Sequence, residues 1–589
     1  MRSRRARLRG PRDSATFGPD DLAPPESGRA SNAKECDVAE LSGAQILAKS
    51  LKTQGVGELF GLVGLPIGPI TVAVQREGMR YIGVRHEQAA AYAAQAAGYM
   101  NGRIGAAAVV SGPGMTNAIT ALGNAEANCW PMLLIAGSSS TELMERGDFQ
   151  EAPQVQAAKP FVKWAGQAQD PRLIPHLVAT AVRHAIGGRP GAVYLDMPGN
   201  IIDGKVEEDE VRWMDRVPDP PRPEAAGGDV AQALATLKSA SNPLVVVGKG
   251  AAWAQAENEV REFIDKTGLP FLPMPMGKGV VPDDHPMNVS AARTNALKNT
   301  DVVFLIGARM NWMLHFGLPP RWRDDLRVIQ LDIDAAEMGS SVPTEAPLVG
   351  DAQAVMGQLN AALDADPWQF EDGSEWRASL LAEAERKREQ NAGFYQSDEM
   401  PMGYYRPLKI LDDAMPRDAI FVCEGENTMG IARTVINSYE ARARLDAGTW
   451  GTMGVGPGFA LAAQVVNPDK RVVALEGDAA FGFGPAEVET AVRHELPITW
   501  VIFNNNGIGE GVEEIDRSKP IPPGVMTPNA RYEKIIEAFG GKGYHCTTPD
   551  EVEAAIEDAF KQKGSTLINV AIAPKAMRRK QQFGWLTRH

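Results

Sequence analysis

From about Leu41 onward, short apolar runs alternate with alanine-rich stretches along the chain. Residues 57–64 (GELFGLVG), 80–87 (RYIGVRHE), 104–114 (IGAAAVVSGPG) and 131–139 (PMLLIAGSS) read as strands. Stretches such as QAAAYAAQAAGYM between them read as helices. Near-continuous apolar strands separated by helices predict a parallel sheet covered on both faces. This block closes near Pro198, and the charged, proline-rich residues 206–228 read as a linker. A second block has strands at 243–250 (PLVVVGKG), 301–309 (DVVFLIGAR) and 326–334 (LRVIQLDID). After an acidic helical stretch, a third has strands at 418–425 (DAIFVCEG), 471–480 (RVVALEGDAA) and 497–506 (PITWVIFNNN). The fold class expected is α/β, three doubly wound parallel-sheet domains at 40–205, 225–385 and 400–574. Residues 1–39 carry arginines but no apolar run and read as a disordered arm. Residues 575–589 form a separate basic and aromatic tail.

Composition narrows the classes. A chain of 589 residues suits three or four domains at roughly 150 residues each. Its net charge of −14 argues against a sequence-independent nucleic-acid binder, which needs a broad basic field. The four cysteines, Cys36, Cys129, Cys423 and Cys546, form no CxxC pair, so neither a disulfide framework nor a structural zinc site is expected. No apolar run reaches the ~18 residues that a membrane span needs. The expectation is a cytoplasmic protein with no membrane or nucleic-acid partner.

The chemistry concentrates at the ends of two strands. Gly477-Asp478-Ala479-Ala480 follows one apolar run, and Asn505 in Asn504-Asn505-Asn506-Gly507-Ile508 follows the next, 27 residues after Asp478. One crossover helix between them brings both strand ends to the same sheet edge. A carboxylate oxygen, an amide oxygen and a main-chain carbonyl at Gly507 suit Mg²⁺, which completes its octahedron with phosphate. Helix N-termini beside such glycines attract a diphosphate.

This pattern resembles the thiamine diphosphate-binding signature. Four segments match in order: VRHEQAAAYAAQAAGYM, VVSGPGMTNAI, RLDAGTWGTMGVGPG and GDAAFGFGPAEVETAVRHELPITWVIFNNNGI. Together they look like thiamine diphosphate-dependent enzymes of the 2-hydroxyacyl-CoA lyase and oxalyl-CoA decarboxylase group. The resemblance implies a pyrimidine-binding domain, a Rossmann-like middle domain and a diphosphate- and Mg²⁺-binding domain. It also implies a homodimer or homotetramer with active sites between subunits. Glu87 matches the glutamate that hydrogen-bonds the cofactor pyrimidine N1′, promoting loss of the thiazolium C2 proton. Gly451 and Met453 match positions that shape the bent cofactor, and Asn427 a diphosphate contact. Gln150 and Glu151, in DFQEAPQ, fall where the family places polar residues facing the thiazolium.

One segment departs from the pattern. The family's usual aromatic residue is replaced by Gly509, and its non-acidic polar residue by Glu510. That enlarges the pocket and adds a base, so a branched 2-hydroxyacyl group releasing a ketone is expected. The reaction implied is cleavage of a 2-hydroxyacyl-CoA to formyl-CoA and an aldehyde or ketone. Oxalyl-CoA decarboxylation and an acetolactate synthase-like carboligation are the rival readings. A fold that had lost its chemistry would lack Glu87, Asp478 or Asn505, and all three are present. In the middle domain, Gly248-Lys249-Gly250 and Asp332 resemble nucleotide-binding positions, with Arg309 and Asn311 placed near an ADP-like moiety, either CoA itself or an ADP activator. Arg578, Arg579 and Lys580 are expected to pair with CoA phosphates, while Phe583, Trp585 and Leu586 close a lid over the pocket.

Overall fold

The computed structural model describes residues 39–578. The arm, apart from Ala39, and the tail from Arg579 onward, including Lys580 and the aromatic lid residues, lie outside the described residues.

Among the described residues three parallel sheets carry the fold. The first contains β1 (Glu58–Gly61), β2 (Arg80–Gly83), β3 (Gly105–Val109), β4 (Met132–Ser138), β5 (Trp164–Gln167) and β6 (Ala192–Pro198), in the order β2-β1-β3-β4-β6-β5. The second contains β7 (Pro243–Val247), β8 (Phe271–Pro273), β9 (Val302–Ile306), β10 (Arg327–Asp332) and β11 (Ala346–Val349), in the order β8-β7-β9-β10-β11. The third contains β12 (Ile420–Cys423), β13 (Arg444–Asp446), β14 (Val472–Gly477), β15 (Ile498–Asn504), β16 (Lys542–Cys546) and β17 (Thr566–Ala571), in the order β13-β12-β14-β15-β17-β16. Strand order that jumps in sequence, with helical crossovers, is the doubly wound arrangement expected.

The helices that position the site are α1 (Glu87–Asn101), α2 (Pro113–Asn128), α3 (Glu426–Val435), α4 (Val455–Val466), α5 (Asp478–Phe481) and α6 (Glu487–Arg493). Helix α1 is alanine-rich and buried nearly all round, because it lies between the first sheet and α4. Small residues permit the approach: a Cβ on Gly458 would stand 2.7 Å from the Ala89 carbonyl oxygen. Tyr92 meets Phe459 edge to face with ring centres 6.1 Å apart. The first and third sheets therefore share one apolar core, whereas the middle sheet has its own. The crossover between β14 and β15 is the helix α6, inside residues 484–496 (GPAEVETAVRHEL) as expected, and the single turn α5 stands before it. Gly482, Gly484 and Pro485 separate the two, since proline removes a helical donor. The linker is fastened down: Val217 N donates to Gln54 Oε1 at 2.8 Å, and Arg103 Nη2 to the Val217 carbonyl at 2.7 Å. Those buried polar side chains would otherwise lack partners.

Candidate active site

Strands β14 and β15 run parallel with Gly477 opposite Phe503, so their C-terminal ends share one edge. Asp478 opens α5 and is buried. Its Oδ1 accepts the Ala479 amide at 2.8 Å and its Oδ2 the Gly507 amide at 3.1 Å. Burial pushes its carboxyl up to about 6 despite those amides. Asn505 is also buried, and its Nδ2 donates to the Gly509 carbonyl at 2.7 Å, which fixes its amide orientation and reserves Oδ1 as an acceptor. Asn506 adopts φ +63° and its side chain ties to Val512 and Asn529, holding the turn after β15. Asn427, near the start of α3, keeps a buried Oδ1 with no hydrogen-bond partner among the described residues, while its Nδ2 reaches Met577 Sδ.

Glu87 is the first residue of α1, where a carboxylate is favoured by the helix dipole. It is largely buried and accepts Asn117 Nδ2 at 3.1 Å. His86 caps the helix by accepting the Gln88 amide on Nδ1.

The loops beyond these strand ends differ in character. Gln150 takes φ +56°, and its Oε1 accepts the Ser111 hydroxyl at 3.0 Å. Gly112 fits beside it because a Cβ there would stand 2.5 Å from the Gln150 carbonyl oxygen. Glu151 is occupied by its own loop, accepting the amides of Glu145 at 2.5 Å, Gly147 at 2.9 Å and Asp148 at 3.2 Å. Those amides, the Glu145 one foremost, hold its carboxyl below the ordinary range. Ile508, Gly509 and Glu510 are exposed, and a Cβ on Gly509 would meet open space. Gly451 takes φ +63° in the loop before α4, and half-buried Met453 follows it.

That loop is braced from two sides. Asn124 Nδ2 donates to Thr452 Oγ1 at 2.7 Å, and Trp312 Nε1 donates to the Thr449 carbonyl at 2.9 Å. Arg309 donates to the Ala127 carbonyl at 2.7 Å and approaches Thr449 Oγ1 at 3.4 Å. Arg309, Asn311, Lys249, Asp446 and Thr449 also line a small, open pocket. Asn311 caps the turn that follows it by accepting the Met313 amide at 3.0 Å. Lys249 Nζ donates to Asn128 Oδ1 at 2.8 Å, and burial pushes its ammonium down to about 7. Asp332 is engaged at 3.2 Å by Arg189, from the loop before β6, together with Asp334 and Glu337. Arg578 lies against α3, where a Cβ on Gly430 would come within 2.8 Å of its Nη1.

Family models for the thiamine pyrophosphate enzymes match this chain three times. The N-terminal binding domain matches residues 41–158, the central domain 230–359 and the C-terminal binding domain 424–570. The chain is 43% identical to "2-hydroxyacyl-CoA lyase 1" of Homo sapiens, over 95% of this chain and 99% of the human protein. It is 40% identical to the "2-hydroxyacyl-CoA lyase" of Arabidopsis thaliana, over 92% of this chain and 97% of that one. The "Oxalyl-CoA decarboxylase" of Escherichia coli is 40% identical over 91% of this chain and 95% of its own length.

The chain belongs to the thiamine pyrophosphate enzyme family. It is a thiamine diphosphate-dependent enzyme, grouped with the 2-hydroxyacyl-CoA lyases and oxalyl-CoA decarboxylase. The residues present fit the cofactor: an unpartnered buried amide oxygen at Asn427 and an oxygen donor set at Asp478, Asn505 and Gly507 converge on one sheet edge. Among the described residues no helix is long and apolar enough to cross a membrane.

Sequence reasoning missed three buried carboxyls around this family site. Glu424 accepts the amides of Gly454 and Gly456, capping α4 where Gly454 has no side chain to do so. Glu476 stands beside it, and burial next to Glu424 holds its carboxyl well above the ordinary range. Glu487 caps nothing on its own helix and reaches instead to the start of α1. Their partners lie tens to hundreds of residues away, so no local pattern marks them. The buried cation Arg293, pushed down to about 10 by burial and by Arg321 and Arg433, was missed for the same reason.

Proposed function

We propose that this enzyme cleaves the C1–C2 bond of a 2-hydroxyacyl-CoA to formyl-CoA and an aldehyde or ketone, with branched acyl groups accepted. The open, glycine-containing loop at 508–510, standing just beyond a buried cofactor edge, carries this reading over decarboxylation. The 43% identity to a protein named 2-hydroxyacyl-CoA lyase supports the reaction class.

Asp478, Asn505 and the Gly507 carbonyl would hold Mg²⁺, and Asn427 the diphosphate. Thiamine diphosphate supplies a carbon nucleophile at its thiazolium C2 and an electron sink. With the cofactor bound, Glu87 would hold a proton at its N1′, the Gly451 carbonyl would accept from its 4′-amino group, and Met453 would support its rings. Gln150, its amide oriented by Ser111, donates to a substrate oxygen. Glu151, already filled by loop amides, is assigned a loop-holding role. Glu510 takes the proton of the substrate 2-hydroxyl as the C1–C2 bond breaks and that oxygen becomes the carbonyl oxygen of the released aldehyde or ketone. Glu510 then returns that proton to the cleaved thioester carbon, which leaves as formyl-CoA.

The pocket between Lys249, Arg309 and Asn311 suits an ADP-like moiety, of CoA or of a separate ADP. Asp332, held by Arg189, borders the middle sheet rather than offering a free carboxylate. The basic stretch Arg578, Arg579 and Lys580 supports CoA phosphate binding. A second copy of the chain is the expected partner, because Trp450, Phe483 and Ile508 beside the cofactor loops are at least half exposed.

Product analysis of the purified enzyme with thiamine diphosphate, Mg²⁺ and either 2-hydroxyisobutyryl-CoA or oxalyl-CoA tests the reading. Formyl-CoA with acetone supports it. Formyl-CoA with CO₂ from oxalyl-CoA alone makes the enzyme a decarboxylase. Turnover of pyruvate with neither acyl-CoA used makes it a carboligase.

A further inference from the structure

Two carboxylates meet the start of α1, and Glu87 is one of them. The other is Glu487, the first residue of α6, on the same crossover that carries Asp478. Glu487 is 1% exposed. Its two carboxylate oxygens accept the Arg85 amide at 3.0 and 3.2 Å, and it also takes the His86 amide. Thr490 Oγ1 donates to the same carboxylate at 2.8 Å. A second grip lies at the last residue of α6, where Arg493 Nη2 donates to the Gly83 carbonyl at 2.6 Å. Residues 83–86, which lead from β2 into Glu87, are thus fastened to α6, about 400 residues away in the chain.

The arrangement is more than a helix cap. Helix α1 already has its cap, because His86 Nδ1 accepts the Gln88 amide. Burying a carboxylate is costly unless donors surround it. Here the donors are the amides just before the helix, so an ionised Glu487 and an ordered entry to α1 require each other.

We propose that Glu487 is a positioning residue for Glu87: as a carboxylate it holds the Arg85 and His86 amides, and so sets where Glu87 stands against the cofactor. This rests on the role proposed above for Glu87.

The clamp is pH-dependent. Burial pushes the Glu487 carboxyl up to about 7, although the Thr490 hydroxyl and the two amides pull it down. Above that pH it accepts the amides. Below it, one oxygen carries a proton and can no longer accept. The charged and titratable groups facing it are few. Arg85 and His86 come from the α1 entry, Glu489, Arg493 and His494 from α6 and its end. Helix α4 carries no titratable side chain. The helix Glu533–Glu537 brings Glu533, paired with Arg531, and Lys534, paired with Glu537.

The test is hydrogen–deuterium exchange of the peptide over residues 83–90 in the full-length protein, with and without thiamine diphosphate and Mg²⁺. At pH 8, Glu487→Gln should exchange the Arg85 and His86 amides about tenfold faster than wild type. Corrected for intrinsic rates, wild type should lose that protection between pH 8 and 6, and Glu487→Gln should show no such change. Thr490→Val, which removes one donor and keeps the carboxylate, should move the wild-type midpoint to higher pH. In the loaded enzyme, Glu487→Gln should lower kcat about 10- to 100-fold with the acyl-CoA KM within about twofold. Adding it to Glu87→Gln should cost little more. Unchanged protection in Glu487→Gln, or an unmoved midpoint in Thr490→Val, overturns the clamp. Losses that are additive with Glu87→Gln reduce Glu487 to a structural residue. If Glu87→Gln itself keeps full activity, the role of Glu87 fails while the exchange result still decides the clamp.

Discussion

The cofactor edge and the loops beyond it are built on different principles. At the edge, Asp478, Asn505 and Asn427 are buried and sit at the ends of strands or the starts of helices; backbone amides orient Asp478 and the Gly509 carbonyl orients Asn505. Beyond it, Ile508, Gly509 and Glu510 are exposed, and Gln150 is held in a left-handed conformation by a single hydroxyl contact. Strand ends fix geometry through the register of the whole sheet, whereas loops change at little cost to the core. On the roles proposed above, such a division would separate activation of the cofactor from choice of substrate, so that each half could be broken alone.

The deepest break is at the edge. Asp478→Ala removes the buried carboxylate proposed to hold Mg²⁺ and should weaken thiamine diphosphate binding at least ~100-fold, read by calorimetric titration in the presence of Mg²⁺. Next comes Glu87→Gln, for which steady-state kinetics should show kcat falling by ~10²-fold or more while cofactor affinity holds. In the loop, Glu510→Gln should lower turnover of a branched 2-hydroxyacyl-CoA by about 10²-fold. Unchanged turnover would remove Glu510 as the base. Arg309→Ala sharpens a different line. If Arg309 braces the loop of Gly451 and Met453, cofactor affinity falls about tenfold, as for one lost charged hydrogen bond. If it contacts CoA, the acyl-CoA KM rises instead.

The smallest effect is on stability. Folding takes Lys249 from its ordinary 10.5 down to about 7. Between those values the unfolded chain binds a proton that the folded chain has released, so stability rises with pH across this window. Lys249→Met should remove that rise, measured as Tm from pH 7 to 9.

Much of this was legible in the sequence. The apolar runs marked the strands, because parallel strands are covered on both faces and tolerate few polar residues. The spacing of Asp478 and Asn505 marked the edge, because adjacent parallel strands put their ends together. Glu87 was visible at a strand-to-helix junction. Roles that depend on distant partners were not visible. Arg309 meets Ala127, 182 residues away, and Glu487 meets Arg85, 402 residues away. The loop amides that hold Glu151 were not legible either, because a motif does not reveal what a carboxylate already accepts.

The separation of the two halves is tested most directly by measuring, on one Glu510→Gln preparation, both the thiamine diphosphate Kd and kcat/KM for branched against linear 2-hydroxyacyl-CoA. Kd should be unchanged while kcat/KM falls about 10²-fold for both substrates, since both carry the 2-hydroxyl that Glu510 deprotonates. A Kd that weakens in step with activity, or a kcat/KM that is unchanged for both, would contradict that separation.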